Sequence, residues 1–162
     1  MRQLRPARWA AAVLVPALVL GGCAAGQEAE TAEETPDVAG VDGTVGDVSL
    51  DDVLLEVGSP AAAGASVPLR GALTNDAEQP DRLVAVSTPA AASVQLLDES
   101  GASSADGIEL PAGGRLDATT GPVRVRLEEL SAPLAPADTA RVTFTFATAG
   151  EVELDVPVAP AP

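Results

Sequence analysis

The stretch Arg141-Val-Thr-Phe-Thr-Phe-Ala-Thr-Ala-Gly-Glu-Val-Glu-Leu-Asp-Val-Pro-Val158 decides the fold class. Its large apolar residues recur at every second position on both sides of the turn residues Ala149 and Gly150. Successive side chains of a β-strand point to opposite faces, so this period of two indicates strands with one buried face. Phe144 and Phe146 fall on one such face, and we expect them at the centre of a core.

The same alternation recurs along the rest of the chain. The predicted inward positions are Val67, Leu69 and Leu73; Val84 and Val86; Val94 and Leu96; Val123, Val125 and Leu127; Val142; and Val152, Leu154, Val156 and Val158. Near the start, Val48 and Leu50 have one parity and Val53, Leu55 and Val57 the other, which predicts a β-bulge at Asp51-Asp52. Turn residues separate these runs, and no stretch has the pattern of an amphipathic helix. The sequence therefore predicts an all-β, antiparallel β-sandwich.

The composition excludes several classes of protein. The 162 residues carry a net charge of −15, one cysteine and no histidine, and 46% of them are hydrophobic. One cysteine excludes a disulfide scaffold, and the acidity excludes a nucleic-acid binder, because the phosphate backbone would repel the chain. Without histidine or lysine no usual general base is present to activate a hydroxyl, so we expect no enzyme and no catalytic residues.

Residues 1–22 have the three parts of a secretory signal peptide. Arg2, Arg5 and Arg8 precede an apolar run that is too short to span a membrane, and small residues follow it. The run ends in Leu20-Gly-Gly-Cys23, which resembles the bacterial lipobox, where the cysteine receives diacylglycerol and the chain is cut just before it. Two acyl chains suffice for stable anchoring, so we expect Cys23 to hold the chain on the extracytoplasmic face of the cell membrane. The alternative is an ordinary signal peptide with an unrelated cysteine at its end.

Residues 23–46 are predicted to be the lipidated cysteine and an acidic, disordered tether. The segment carries many acids, no cation and hardly a large apolar residue, so it cannot bury enough surface to fold. The predicted domain then covers residues 47–158, and residues 159–162 form a tail. The signal peptide carries three of the nine basic residues and no acid, so its removal would leave a net charge of −18.

Three stretches of the predicted domain resemble a known family. They are Asp81-Arg-Leu-Val-Ala-Val-Ser-Thr-Pro-Ala-Ala-Ala-Ser-Val-Gln-Leu96, Asp106-Gly-Ile-Glu-Leu-Pro-Ala-Gly-Gly114 and Ala149-Gly-Glu-Val-Glu-Leu-Asp-Val-Pro157. Together and in this order they are similar to the PCu(A)C periplasmic copper chaperones, in the lipoprotein branch typified by LpqE. The resemblance implies a Greek-key, cupredoxin-like sandwich, which agrees with the alternation.

The resemblance also implies where copper ligands belong. Members of the family hold copper with a histidine, a loop methionine and a late His-x-Met pair. Here the first histidine position is Leu97, the pair falls on Arg124 and Arg126, and the shortened loop from Asp98 to Asp106 has no methionine. Cu(I) prefers thioether, thiolate and imidazole donors, so we expect neither a copper site of the family type nor any other metal or cofactor.

The same positions suggest an interaction patch. Since Val123, Val125 and Leu127 are predicted to face inward, Arg124 and Arg126 would face outward. They could dock a partner's carboxylate or phosphate, or they could pair with acids on a neighbouring strand. Leu97, in the outward register, would add an exposed apolar spot beside them.

Acidic residues offer one further candidate site. Neighbouring acids on a strand project to opposite faces, so Asp51-Asp52, Asp98-Glu99 and Glu128-Glu129 are interpreted as solvated. Asp98, Glu99 and Asp106 could gather around calcium, but their spacing is not that of a calcium loop.

The leading hypothesis is a non-enzymatic, membrane-anchored lipoprotein that works through contacts with an unidentified extracytoplasmic protein. The runner-up is a copper chaperone or metal-handling protein that acts with a ligand-bearing partner, and a calcium-dependent binding module comes third.

Overall fold

The computed structural model describes residues 39–122 and 124–161. Its elements are ten β-strands: β1 (Val41–Val45), β2 (Val48–Val57), β3 (Val67–Asn75), β4 (Asp81–Ser87), β5 (Ala91–Leu96), β6 (Ile108–Leu110), β7 (Arg115–Asp117), β8 (Val125–Leu130), β9 (Thr139–Phe146) and β10 (Glu151–Pro160). Within these residues no helix is long and apolar enough to cross a membrane. The predicted signal peptide, Cys23, residues 24–38 of the predicted tether and Val123 lie outside the described residues.

The strands form one hydrogen-bonded sheet that folds over a shared core. Their order is β5-β8-β3-β2-β10-β9-β4-β6, while β1 pairs with β2 and β7 pairs with β3. The described pairs are antiparallel except that of β2 with β10, in which Leu55 to Val57 run parallel to Val158 to Pro160. The all-β sandwich is confirmed, and the parallel contact is a feature that the alternation does not reveal.

The core lies where the alternation places it. Phe144 and Phe146 of β9 are buried in one cluster with Leu55 of β2 and Leu127 of β8, so residues far apart in the sequence share this core. Of the other predicted inward residues that the structure describes, most are buried and Val94 and Val152 are half-buried against the cluster.

The predicted bulge is present in β2. The register against β3 shifts between Asp51 and Leu54, and Asp52 has a φ of +53°. The inserted residue changes the parity of the strand, so Leu50 and Val53 both face the core.

A second irregularity makes one predicted core residue wrong. The register between β4 and β9 shifts between Leu83 and Ala85, so Leu83 and Val86 are buried whereas Val84 is 41% exposed. The run Leu83-Val-Ala-Val86 has apolar residues at both parities, which is why alternation alone selected Val84.

The predicted tether ended too late in the sequence. Residues 41–45 form β1, which pairs with β2, and Val41 and Val45 pack partly against the core. Gly43 allows this approach, because a Cβ there would lie 2.6 Å from Cδ2 of Leu154. Two half-buried valines and a strand ladder therefore stabilise a segment whose composition alone suggests a solvated chain.

The predicted tail begins too early. β10 continues through Ala159 and Pro160, which pair with Glu56 and Val57, and the N–H of Ala161 donates a hydrogen bond to the Val57 carbonyl. Part of residues 159–162 therefore belongs to the sheet.

A buried carboxylate ties β4 to the turn between β9 and β10. Asp81 is 7% exposed and accepts hydrogen bonds from the N–H groups of Arg82 (2.7 Å), Thr148 (2.9 Å) and Ala149 (2.9 Å). Burial raises the pKa of Asp81, but these hydrogen bonds together outweigh it and lower the pKa below its ordinary value.

Candidate functional site

The positions that the resemblance assigns to copper ligands meet where β5 ends and β8 begins. The N–H of Leu97 donates to the Arg124 carbonyl at 2.7 Å, and Nε of Arg124 donates back to the Leu97 carbonyl at 2.9 Å. Arg126 follows two residues later on β8, opposite Gln95 of β5 on one side and Pro68 of β3 on the other. The fold thus brings Leu97, Arg124 and Arg126 together.

The alternation of β8 sets the direction of these arginines. Val125 and Leu127 are buried, and Arg124 and Arg126 are half-buried on the other side of the strand. The alternation of β8 therefore agrees with the outward placement predicted for Arg126, whereas Arg124 lies just before the strand. Arg124 lines a small apolar pocket with Leu69, Leu116 and Phe144, so this residue does not project fully into solvent.

The prediction that Leu97 is exposed is wrong. Leu97 is 3% exposed, although it does not belong to the main core cluster. The following loop folds back over this end of β5: Leu97 forms an isolated bridge with Ser103, and the N–H of Ser104 donates to the Leu96 carbonyl. The cationic positions therefore have no exposed apolar neighbour at residue 97.

The same loop does not gather carboxylates for calcium. The Asp98 carboxylate accepts hydrogen bonds from the hydroxyl and N–H of Ser100 and from the N–H of Ala102. These bonds, with a smaller contribution from the positive charge of Arg124, hold the pKa of Asp98 below its ordinary value, and the bonds stabilise the turn of its own loop. Glu99 and Asp106 are exposed, and nowhere in the described part of the chain do three acids, cysteines or histidines lie close enough to hold a metal.

The predicted solvation of the paired acids holds in part. Glu128 contacts the Ser66 hydroxyl, while Glu129 is exposed at a bulge with a φ of +54°. Asp51 is half-buried and pairs with Arg115 at 2.9 Å.

An open groove of about 640 Å³ runs from Arg124 past the loop after β5. Its charged lining residues are Asp98, Glu99, Glu109, Arg115 and Arg124. With three carboxylates beside two guanidiniums, the groove selects neither anions nor cations by charge.

Unlike the groove, which has charges of both signs, the outer face of β3 and β8 carries arginines at one end of the strands. The pairing of β3 with β8 ends at Leu69 with Val125, so Arg70 follows and Arg124 precedes this last pair, while Arg126 lies opposite Pro68. We call Arg70, Arg124 and Arg126 the arginine face. Arg70 has no signal in the sequence that links it to the other two, because only the pairing of β3 with β8 brings it to this end of the strands.

The members of the arginine face differ in how they are paired. Nε of Arg70 lies 2.7 Å from Glu56, and its Nη1 donates to the Gly121 carbonyl at 2.8 Å. Arg124 and Arg126 take part in none of the ion pairs found among residues 39–122 and 124–161. Neither arginine therefore forms the predicted ion pair with an acid of a neighbouring strand among these residues, although the charge of Arg124 helps to lower the pKa of Asp98 in the loop after β5.

The donors at this corner do not suit copper. Two of the three ligand positions carry guanidiniums, which have no lone pair to offer a metal, and the third carries an alkyl side chain. The Leu97 carbonyl already accepts the Arg124 hydrogen bond. The one methionine and the one cysteine of the sequence are Met1 and Cys23, outside the domain, so its side chains offer no soft donor for Cu(I).

Comparisons with known proteins agree on the family and the fold. The sequence model of the LpqE-like family matches residues 47–158. The copper-bound PCuAC domain from PmoF2 is 28% identical, with a TM-score of 0.64 over 75% of this chain and 99% of that one. The apo PmoF2 PCuAC domain is 29% identical, with a TM-score of 0.63 over 75% and 96% of the two chains.

The apo PCuAC domain from PmoF1 supports the fold alone. It is 23% identical, with a TM-score of 0.66 over 75% of this chain and 100% of that one. No curated protein matches the sequence. The resemblance to PCu(A)C domains that the sequence suggests is confirmed.

Proposed function

The chain belongs to the LpqE-like family, and from this premise we propose that it is a non-enzymatic lipoprotein on the extracytoplasmic face of the cell membrane. Its domain is related to the PCuAC domains of copper chaperones. It acts through contacts with another protein at the arginine face, without binding copper or another cofactor itself.

One observation carries this proposal. At the corner where the resemblance implies copper ligands, the chain has two half-buried arginines that form no ion pair with a described acid, in a protein of net charge −15. Guanidiniums repel a metal cation and bind carboxylates through two parallel hydrogen bonds. The change from imidazole and thioether to guanidinium thus favours an anionic protein surface over a metal as the partner of this corner.

A second candidate is a metal-handling role shared with a ligand-bearing partner. It is favoured by the copper-bound state of the similar PmoF2 domain. In this case the chain would provide a docking surface, and the partner would provide the side chains that bind copper.

The two candidates differ in a Cu(I) competition titration with a chelating probe. We expect the domain alone to show only weak, non-specific Cu(I) binding, and stoichiometric binding would contradict the proposal. The variant Leu97→His, Arg124→His, Arg126→Met should regain measurable Cu(I) affinity if the family geometry persists. A matched control, Arg141→His with Thr143→Met, places a His-x-Met pair on β9 and should regain none.

Contacts at the arginine face are tested by crosslinked capture from the membrane fraction. The double variant Arg124→Gln, Arg126→Gln should lose a captured protein that the unchanged chain and the control Arg141→Gln both retain. Equal capture by all three chains would remove the arginine face from the proposal. A captured protein that carries copper only in the complex would favour the metal-handling candidate.

The anchor is tested at Cys23. Because Cys23 is the one thiol and follows a lipobox-like run, Cys23→Ala should move the protein from the membrane to the soluble extracytoplasmic fraction. If the variant stays with the membrane, the lipid anchor is wrong.

A further inference from the structure

Four described strands pair with only one neighbour, and β5 is unlike the other three. β1, β6 and β7 are five, three and three residues long, and each contains at least one charged residue. β5 is six residues long, Ala-Ala-Ser-Val-Gln-Leu, with no charge and no proline. Natural proteins protect edge strands from pairing with other chains by shortening, charging or bulging them. The edge of β5 lacks these protections.

The hydrogen-bond pattern shows which backbone groups of β5 point outward from the sheet. Residues of an antiparallel pair alternate between those that exchange hydrogen bonds and those that do not. The N–H of Leu97 bonds to Arg124, so Gln95 and Ser93 also face β8, while Ala92 and Val94 direct their N–H and C=O groups away from it. No hydrogen bond found in the described chain uses these groups of Ala92 or Val94.

The loop after β5 covers only the end of this edge. Ser103 bridges Leu97, and the N–H of Ser104 donates to the Leu96 carbonyl. Strand β4 lies close to β5 but does not pair with it, so the outward backbone groups of Ala92 and Val94 have no hydrogen-bond partner among the described residues. An added strand could pair there over a length comparable to that of other strands in this sheet.

The charged residues of β8 beside this edge determine where an acidic side chain of a partner would be favoured. Arg126 lies directly opposite Gln95, and a residue added on the far side of Gln95 would be two strand spacings from Arg126, about 10 Å between backbones. An arginine and a glutamate side chain together span that gap. In the next row Glu128 lies opposite Ser93, so an acid there would meet a like charge.

We propose that the edge of β5 binds an extended segment of a partner protein by strand addition, with an acidic side chain beside Gln95 pairing with Arg126. The mode is known for exposed sheet edges: backbone hydrogen bonds provide affinity and alternate side chains provide specificity. This inference rests on the proposed function, because it specifies how a protein partner reaches the arginine face. A second copy of the chain is disfavoured as the occupant, since both copies would carry a net charge of −15.

The probe is a synthetic peptide of alternating valine and threonine with one central glutamate, compared with the same peptide carrying glutamine. On binding to the full chain, hydrogen exchange should slow at the amides of Ala92 and Val94. The variant Ala92→Pro removes an edge N–H without removing a bond to β8, and should weaken binding at least about tenfold. The control Ala92→Ser keeps the N–H and should bind as the unchanged chain does.

The charge pairing is tested by a double-mutant cycle. Arg126→Gln should weaken binding of the glutamate peptide about threefold, the value of a partly exposed ion pair, and leave binding of the glutamine peptide unchanged. Equal losses for both peptides would contradict the pairing with Arg126.

Other outcomes would overturn strand addition itself. Unchanged exchange at Ala92 and Val94 would do so even if Ala92→Pro failed to fold. If Ala92→Pro kept full binding while the double arginine variant still lost the captured protein, strand addition would be wrong and the proposed function would stand. A dimer that Ala92→Pro converts to a monomer in sedimentation would make a second copy the occupant.

Discussion

Asp81 and Arg124 are both charged residues that hydrogen-bond to backbone groups at the ends of strands, yet they use their bonding capacity differently. Three backbone N–H groups donate to the Asp81 carboxylate, and the residue is 7% exposed. Arg124 is half-buried and uses Nε alone, in one hydrogen bond to the Leu97 carbonyl.

This difference in hydrogen bonding distinguishes charged residues that stabilise the fold from charged residues that can still bind a partner. A buried charge is tolerated when hydrogen bonds satisfy it, and its loss leaves the donors unpaired in a low-dielectric interior. A half-buried guanidinium whose Nη groups bond to none of the described residues costs less to change, and it can still bind an anion. On this basis Asp81 contributes to stability and Arg124 to recognition.

The largest expected effect is at Asp81. Asp81→Ala removes the acceptor of three N–H groups and should lower the free energy of unfolding by about 3 kcal/mol, measured by urea denaturation. Asp81→Asn keeps one acceptor oxygen and should cost less. A loss for Asp81→Ala no larger than that of a typical surface substitution would contradict the role assigned to this carboxylate.

The stability that Asp81 provides should depend on pH in one direction. Its pKa is lowered by folding, so its contribution is complete above the ordinary carboxyl pKa, about 3.9, and is lost as the pH falls through the lower folded value. The difference in stability between the unchanged chain and Asp81→Ala should therefore shrink in acid. Asp98, whose carboxylate accepts its hydrogen bonds in an exposed turn, is the matched control, and Asp98→Ala should have a much smaller effect at neutral pH.

The parts of the fold that the sequence predicts are those set by neighbours along the chain. Alternation identifies the inward faces of β9 and β10 because one period of two fixes every residue of a strand. It identifies the bulge at Asp51-Asp52 because the flanking valines and leucines are unambiguous. It fails at Val84, where apolar residues occur at both parities, and at Leu97, which is buried by a loop that folds back.

A smaller effect is expected at β1, which composition assigns to a tether. A chain that begins at Gly46 lacks the packing of Val41 and Val45 and the ladder with β2 that a chain beginning at Ala39 retains. We expect the shorter chain to be less stable by about 2 kcal/mol, the value of burying part of two valine side chains. Thermal and urea unfolding measure the difference. Equal stability of the two chains would show that β1 does not stabilise the fold.

The parts of the site that the sequence does not predict depend on contacts between distant residues. The pairing of Asp81 with Thr148 and Ala149 and the position of Arg70 next to the start of β8 both require the strand order. Neither has a local signal, since a single Asp or Arg on a strand is ordinarily solvated. The family resemblance predicts that Leu97, Arg124 and Arg126 lie together, because the corresponding positions of the family bind one copper ion and are therefore close in space.

The smallest expected effect on stability is at Arg124. It tests whether this guanidinium is free to bind a partner rather than needed for the fold. Arg124→Met keeps a long unbranched side chain at the pocket that Leu69, Leu116 and Phe144 also line, and it removes one hydrogen bond, that to the Leu97 carbonyl. At a half-buried site water can replace the lost donor, so we expect a loss of about 1 kcal/mol or less in urea denaturation. Arg126→Met, which removes no hydrogen bond found in the described chain, is the matched control and should have almost no effect. If Arg124→Met destabilises the domain as strongly as Asp81→Ala does, the Arg124 guanidinium stabilises the fold. Its presence at this position would then be explained without a protein partner.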